Sequence, residues 1–136
     1  MLARREHSRQ ELCRKLIARG FHSDTVETVL DVLGEERLQS DERFAEALVD
    51  SRVQRGQGPI RIRVELTRRG VADAVIAEHL PWGDEIWSVR AEEARRRRFG
   101  EERPLGPQQT AKQVRFLSGR GFTHAQIRSA LRASDA

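Results

Sequence analysis

The side chains of this 136-residue chain with the most chemistry to offer are its arginines. Among 25 basic residues only Lys15 and Lys112 are lysines, and 21 acidic residues leave a formal net charge of +4. Arginine keeps its charge at any working pH and presents a planar fork of donors suited to phosphate or carboxylate. The densest group lies in the stretch Ser40–Gly70, SDERFAEALVDSRVQRGQGPIRIRVELTRRG, which supplies Arg52, Arg55, Arg61, Arg63, Arg68 and Arg69. Lys112, Arg115 and Arg120 form a second group further on. These residues are the candidate contacts to an anionic partner, either a nucleic acid or an acidic protein groove. The run Arg95–Arg98 would wrap all sides of a helix, so it reads first as cations favoured at a helix C-terminus, by about 0.3–1 kcal/mol each.

Other chemistries are poorly provided for. None of His7, His22, His79 and His124 stands four residues from another histidine or from a cysteine, so no zinc-ligand spacing exists. Gly56-Gln57-Gly58 lacks the lysine and the preceding strand of a phosphate-binding loop. The pairs Arg61/Glu65, Glu92/Arg96 and Glu93/Arg97 fall at i,i+4 and read as ordinary surface ion pairs. We therefore expect a non-enzyme that uses no metal or cofactor. The single Cys13 cannot close an intramolecular disulfide, which fits a reducing cytoplasm, and beside Leu12 and Leu16 it reads as core filler. No run reaches membrane-spanning length and Met1–Arg5 is no hydrophobic signal, so the expectation is a cytoplasmic protein without membrane contact.

The elements that carry the arginines are all expected to be helices, because no segment alternates with a strand period. Ser8 and Glu11 form a capping box for a helix burying Leu12, Leu16 and Ile17, and Gly20 ends it. Ser23 begins the next, which Gly34 stops. Ser40 caps a helix burying Phe44, Ala45, Leu48, Val49 and Val53, broken at Gly56. Pro59 opens a helix burying Ile62 and Leu66 and closed by Gly70. Helices over Ala72–Leu80, Gly83–Phe99, Gln108–Ser118 and Thr123–Ala133 follow, with a loop at Gly100–Pro107. Trp82 and Trp87, near a repeat boundary, are expected to pack between repeats rather than to stack on bases.

The pattern repeats. Gly20, Gly70 and Gly121 are each preceded by arginine, with leucine four positions before and an apolar residue directly after. Val26, Ile76 and Ile127 lie six positions on, and Leu30, Leu80 and Leu131 ten. Such matches imply tandem helical units that bury their faces against one another. With 34% charged and 5% aromatic residues, the chain is read as an elongated array of three three-helix repeats, at residues 1–39, 40–82 and 83–136. The first would lack most of its long helix. Each repeat contains two helices joined at an Arg-Gly turn, like a helix-turn-helix. Yet the second helices show Asp24, Glu27, Asp31, Glu35 and Glu36, or Asp73 and Glu78, faces that phosphates would repel. Only the third, with Arg128 and Arg132, could enter a groove. An autonomous DNA-binding module is therefore the weaker alternative.

Three stretches carry a resemblance. ARREHSRQELCRKL, the central SDERFAEALVDSRVQRGQGPIRIRVELTRRGV and RFLSGRGFTHAQIRSAL together resemble the RecX family, regulators that restrain the RecA recombinase. The resemblance implies a non-enzymatic, monomeric regulator: a curved row of three repeats lying along the RecA filament on single- or double-stranded DNA. It would block ATP-coupled strand exchange, co-protease activity or filament growth, with its arginines facing phosphates or acidic filament surfaces.

Overall fold

Every helix of this chain is short, and what ends it matters as much as what it buries. A computed structural model describes residues 5–80 and 83–133, and among them it has eight α-helices and no strand. They are α1 (Arg9–Ala18), α2 (Ser23–Glu35), α3 (Asp41–Gln54), α4 (Pro59–Arg68), α5 (Asp73–His79), α6 (Asp84–Phe99), α7 (Gly106–Gly119) and α8 (His124–Ala133). The expected all-α class is observed. Residues 1–4 and Trp82, to which sequence reading gave a helix fragment and a packing role, lie outside the described residues.

The repeat signature is a helix-ending device. Gly20, Gly70 and Gly121 all take positive φ, at 95°, 87° and 100°. At each, the glycine N–H donates to the carbonyl three residues back, and the next N–H donates to the leucine carbonyl five residues back. That is the Schellman closure, in which the residue after the glycine packs on the residue four before it. The recurring leucine, glycine and following apolar residue thus serve local geometry, in which the arginine side chain takes no part. Gly56 closes α3 the same way, at φ 80°. One expected stop fails: α2 runs through Gly34, and Arg37 takes the left-handed turn at φ 60°. Leu38 N–H reaches Leu33 O at 2.9 Å, so the closure that fits the apolar spacing of Leu33 and Leu38 is kept. Three smaller differences are that Ile17, expected in the core, is exposed, that Val53 is only half-buried, and that α7 starts at Gly106, taking Pro107 into its first turn.

The chain divides into two compact units, with borders inside α3 and α4. The first unit runs to Val49 and adds Glu65–His79. Its α1 packs on α2 through Leu12, Val26 and Leu30, with Cys13, Leu16 and Leu33 partly covered against them. Phe44, Ala45, Leu48, Val49, Leu66, Val71 and Ile76 are buried as well. Ser8 both caps α1 and donates its Oγ to Arg69 O at 2.7 Å.

The second unit holds Asp50–Val64 and the chain from Leu80 on. In it α6 packs on α7 and α8, around Ile62, Trp87, Ala91, Leu117, Phe122, Ile127 and Ala130. Gly58 N–H donates to Arg120 O at 2.7 Å and Ile60 N–H to Gly121 O at 3.0 Å, so the start of α4 sits on the turn closing α7. A β-carbon on Gly58 would lie 2.5 Å from the Gly121 carbonyl carbon, which only glycine allows. Arg95 is fully buried: its guanidinium grips both carboxylate oxygens of Glu92 at 3.0 Å and reaches Glu102 O at 3.2 Å. It thereby ties down the loop before α7, and the Glu92 hydrogen bonds, outweighing burial, push its pKa further up.

Candidate anion-binding surface

The glycine elbow after α3 brings cations together. Gly56, whose φ of 80° favours glycine, lies beside α6, where a β-carbon would stand in ordinary contact, 3.5 Å from Ala94 Cβ. The last turn of α6 then carries Arg97 and Arg98 alongside. Arg97 Nη1 donates to Gln54 O at 3.0 Å, one of the carbonyls left over at the end of α3. Arg98 lies 5.1 Å over the Phe99 ring and 6.0 Å from that of Phe116, while Arg120 lies 5.1 Å over Phe116. The two rings meet edge to face at 5.3 Å. Arg55, Arg97, Arg98 and Arg120 thus rim an open concavity of about 170 Å³ floored by Gly56, Ala94 and Phe116.

Among the described residues no carboxylate lines it, and none of these four guanidiniums forms an ion pair. Several arginines elsewhere are paired. Arg43 pairs with Glu6, Arg69 with Glu11 and Glu65, Arg90 with Glu93, and Arg95 and Arg96 share Glu92. The expected Glu93/Arg97 pair is therefore not formed, because Glu93 turns to Arg90 at 3.3 Å.

The repeat explains why Arg69 and Arg120 part company. Both directly precede a repeat glycine, and both have their carbonyl held by the residue before a preceding helix, Ser8 or Gly58. Around Arg69 stand Glu11, at 2.8 Å, and Glu65, at 3.0 Å. The equivalent positions around Arg120 are Arg61 and Phe116. One arginine is consequently locked into carboxylates. The other lies over the Phe116 ring.

The remaining expected contacts fall as follows. Arg55 and Arg120 meet in the concavity. Lys112 lies on the same face of α7 as Phe116 and Arg120, at four-residue steps, and is exposed, as is Arg115. Arg61 and Arg63 are exposed on the first turns of α4. Arg52 is half-buried, and its Nη1 donates to Ser51 Oγ at 3.1 Å. Arg68 is exposed in the first unit, and Arg69 there is committed to its ion pairs. Trp87 is buried at 3% exposure and has no face to offer a base. Sequence reasoning missed Arg97 and Arg98. The signal for Arg98 was present, since the residues three and four before it are Arg95 and Ala94, neither an acid.

Fold and surface together define a tandem three-helix repeat protein that leaves a set of cations uncompensated. The comparisons give this class a family. The models for the first, second and third three-helix domains of RecX match residues 1–33, 40–80 and 88–131. "Regulatory protein RecX" of Halorhodospira halophila is 49% identical over 99% of this chain and 84% of its own, and that of Chromohalobacter salexigens is 47% identical over 96% and 86%. The crystal structure of RecX from Lactobacillus salivarius superposes with a TM-score of 0.82 at 21% identity, covering 98% of this chain and 89% of that one. The chain belongs to the RecX family. No helix of the described residues is long and apolar enough to cross a membrane.

Proposed function

We propose that this chain is a negative regulator of the RecA recombinase. In this reading it binds the RecA–DNA filament in its helical groove as a monomer in the cytoplasm, and inhibits ATP hydrolysis, strand exchange and co-protease activity or filament growth. The carrying observation is that family models for all three RecX domains match in order along the chain. We take the repeats to run over residues 1–39, 40–82 and 83–136, each a non-catalytic building block. The leading contacts are Arg55, Arg61, Arg63, Arg68, Lys112, Arg115 and Arg120, to which the geometry adds Arg97 and Arg98. Such charges raise association rates and make binding salt-sensitive more than they raise affinity.

The test is the DNA-dependent ATPase of RecA titrated with this protein. Wild type should inhibit, and Arg61→Glu/Arg68→Glu should inhibit less at unchanged helicity. Equal inhibition by both would remove those side chains from the contact. Binding to bare and to RecA-coated DNA at physiological salt separates the alternative: equal affinity for both favours an autonomous DNA-binding module.

A further inference from the structure

We propose that the concavity rimmed by Arg55, Arg97, Arg98 and Arg120 holds the phosphodiester backbone of single-stranded nucleic acid and does so without reading its bases. This deepens the proposed function, and rests on it for the filament in which that strand is met. The first argument is charge. Each of these arginines stands at the C-terminal end of a helix, α3, α6 or α7, where cations also serve to neutralise the dipole. Three such ends contribute about −0.5 each, roughly −1.5 together. Four guanidiniums therefore leave a surplus of about +2.5, with no carboxylate among the described residues lining the space. Dipole neutralisation alone does not account for the cluster.

The second argument is preorganisation. Cation–π contact restrains Arg120 over Phe116 and Arg98 over Phe99, each at 5.1 Å from the ring centroid. The Gln54 carbonyl fixes Arg97. An arriving anion thus meets three donors, Arg97, Arg98 and Arg120, that are already restrained. The third argument concerns shape. One guanidinium fork satisfies one flat carboxylate, whereas forks converging from three helices suit tetrahedral phosphates whose oxygens diverge. The polar side chains lining the space are all arginines, which donate and never accept, so they match phosphate oxygens and not the mixed edge of a base. Phe116 already carries Arg120 at 5.1 Å and meets Phe99 edge to face at 5.3 Å, contacts that compete with base stacking.

The experiment uses the full chain and a fluorescein-labelled oligothymidylate, with anisotropy followed as salt is raised. Arg98→Gln and Arg55→Gln should each weaken binding about three- to tenfold and lower the slope of log affinity against log salt by about 0.7, one single-strand phosphate contact. Arg96→Gln, outside the concavity and paired with Glu92, should leave the slope unchanged. Oligonucleotides of other sequence should lose affinity in the same proportion. Unchanged affinity and slope in Arg98→Gln and Arg55→Gln would overturn the proposal, as would losses confined to one base sequence. Loss of binding to a labelled oligoglutamate, with oligothymidylate binding intact, would assign the site to an acidic protein instead. Inhibition of the RecA ATPase is read in parallel. Weakened DNA binding with full inhibition upholds the phosphate site and removes it from the filament reading, whereas lost inhibition with intact DNA binding does the reverse.

Discussion

Adding one methyl group at Gly121 tests how the second unit is joined, because the same change at Gly20 supplies its own control. Both glycines close a helix at positive φ, where an L side chain costs about 1–2 kcal/mol. Nothing lies within 4 Å of a β-carbon on Gly20, so Gly20→Ala should cost about that much and no more. At Gly121 the new carbon would stand 2.5 Å from Arg61 Cβ and 2.7 Å from Arg61 N, where ordinary contact begins at 3.4 Å. The first turn of α4 must then retreat by 0.7–0.9 Å, the difference between those distances. That stretches the Gly58–Arg120 and Ile60–Gly121 hydrogen bonds, now 2.7 and 3.0 Å, at about 0.5–1.5 kcal/mol each. Gly121→Ala should therefore cost about 2–5 kcal/mol in all. At roughly 3–5 °C per kcal/mol for a chain of this size, thermal and urea melts followed by circular dichroism resolve the two variants easily. Gly58→Ala, whose β-carbon meets the same turn from the other side without backbone strain, should fall between them. Equal losses at Gly20 and Gly121 would refute the account, since strain alone would then explain both.

Other consequences follow from single observations. Arg37 sits at the left-handed position that glycine fills elsewhere, so Arg37→Gly should raise stability by up to about 1 kcal/mol in the same melts. Ser8→Ala removes both the α1 cap and the buried donor to Arg69 O, and should cost about 2–4 kcal/mol by urea unfolding. Stability should also fall on acidification in two stages. His7 is held neutral, its pKa lowered by burial and then by Arg5 and Lys15, with Lys15 Nζ 3.1 Å from its Nε2. The unfolded chain takes up that proton first, so stability drops as pH falls below about 6.5, and His7→Gln should remove this stage. Burial pushes the Glu11 pKa up, but hydrogen bonds from Arg5 and Ser8 N–H and the charges of Arg5 and Arg69 hold it below the usual value. Its contribution is full above about 4.3 and is lost below, and Glu11→Gln should flatten that second stage in urea midpoints measured against pH.

The helix ends were legible because they are local. Leu16, Leu66 and Leu117 stand at fixed distance from glycine and from Phe21, Val71 and Phe122, and a Schellman closure needs nothing further away. Gly34 misled because glycine is tolerated inside a helix, while the spacing of Leu33 and Leu38 already marked the true turn. The fate of the Arg95–Arg98 run was not legible, since it depends on which side of α6 packs. Only the fold sends Arg95 inward to Glu92 and Glu102, leaves Arg96 outside on Glu92, and turns Arg97 and Arg98 toward Gly56 and Phe116. Burial does not follow the repeat either: Phe21 is 53% exposed where Val71 and Phe122 are 4% and 2%. The signature fixes the turn, and the neighbour decides whether it is covered.

That division between a shared turn and a variable neighbour makes the role of Arg120 reversible on paper. Its backbone is fixed as that of Arg69 is, and what frees its guanidinium is the replacement of two acids, Glu11 and Glu65, by Arg61 and Phe116 at the equivalent positions. Arg61→Glu should restore one acid and draw Arg120 off the Phe116 ring into an ion pair. Arg61→Gln removes the same charge without offering a partner. If local pairing governs the concavity, Arg61→Glu weakens oligonucleotide binding beyond Arg61→Gln by more than its extra charge, and adding Arg120→Gln changes little further. In the wild-type background Arg120→Gln should cost a full phosphate contact, about 0.7 in the salt slope. The coupling between the two sites in a double-mutant cycle isolates the pair. Additive losses would mean that Arg61 acts only through its charge, and that Arg120 is not held ready by the residues around it.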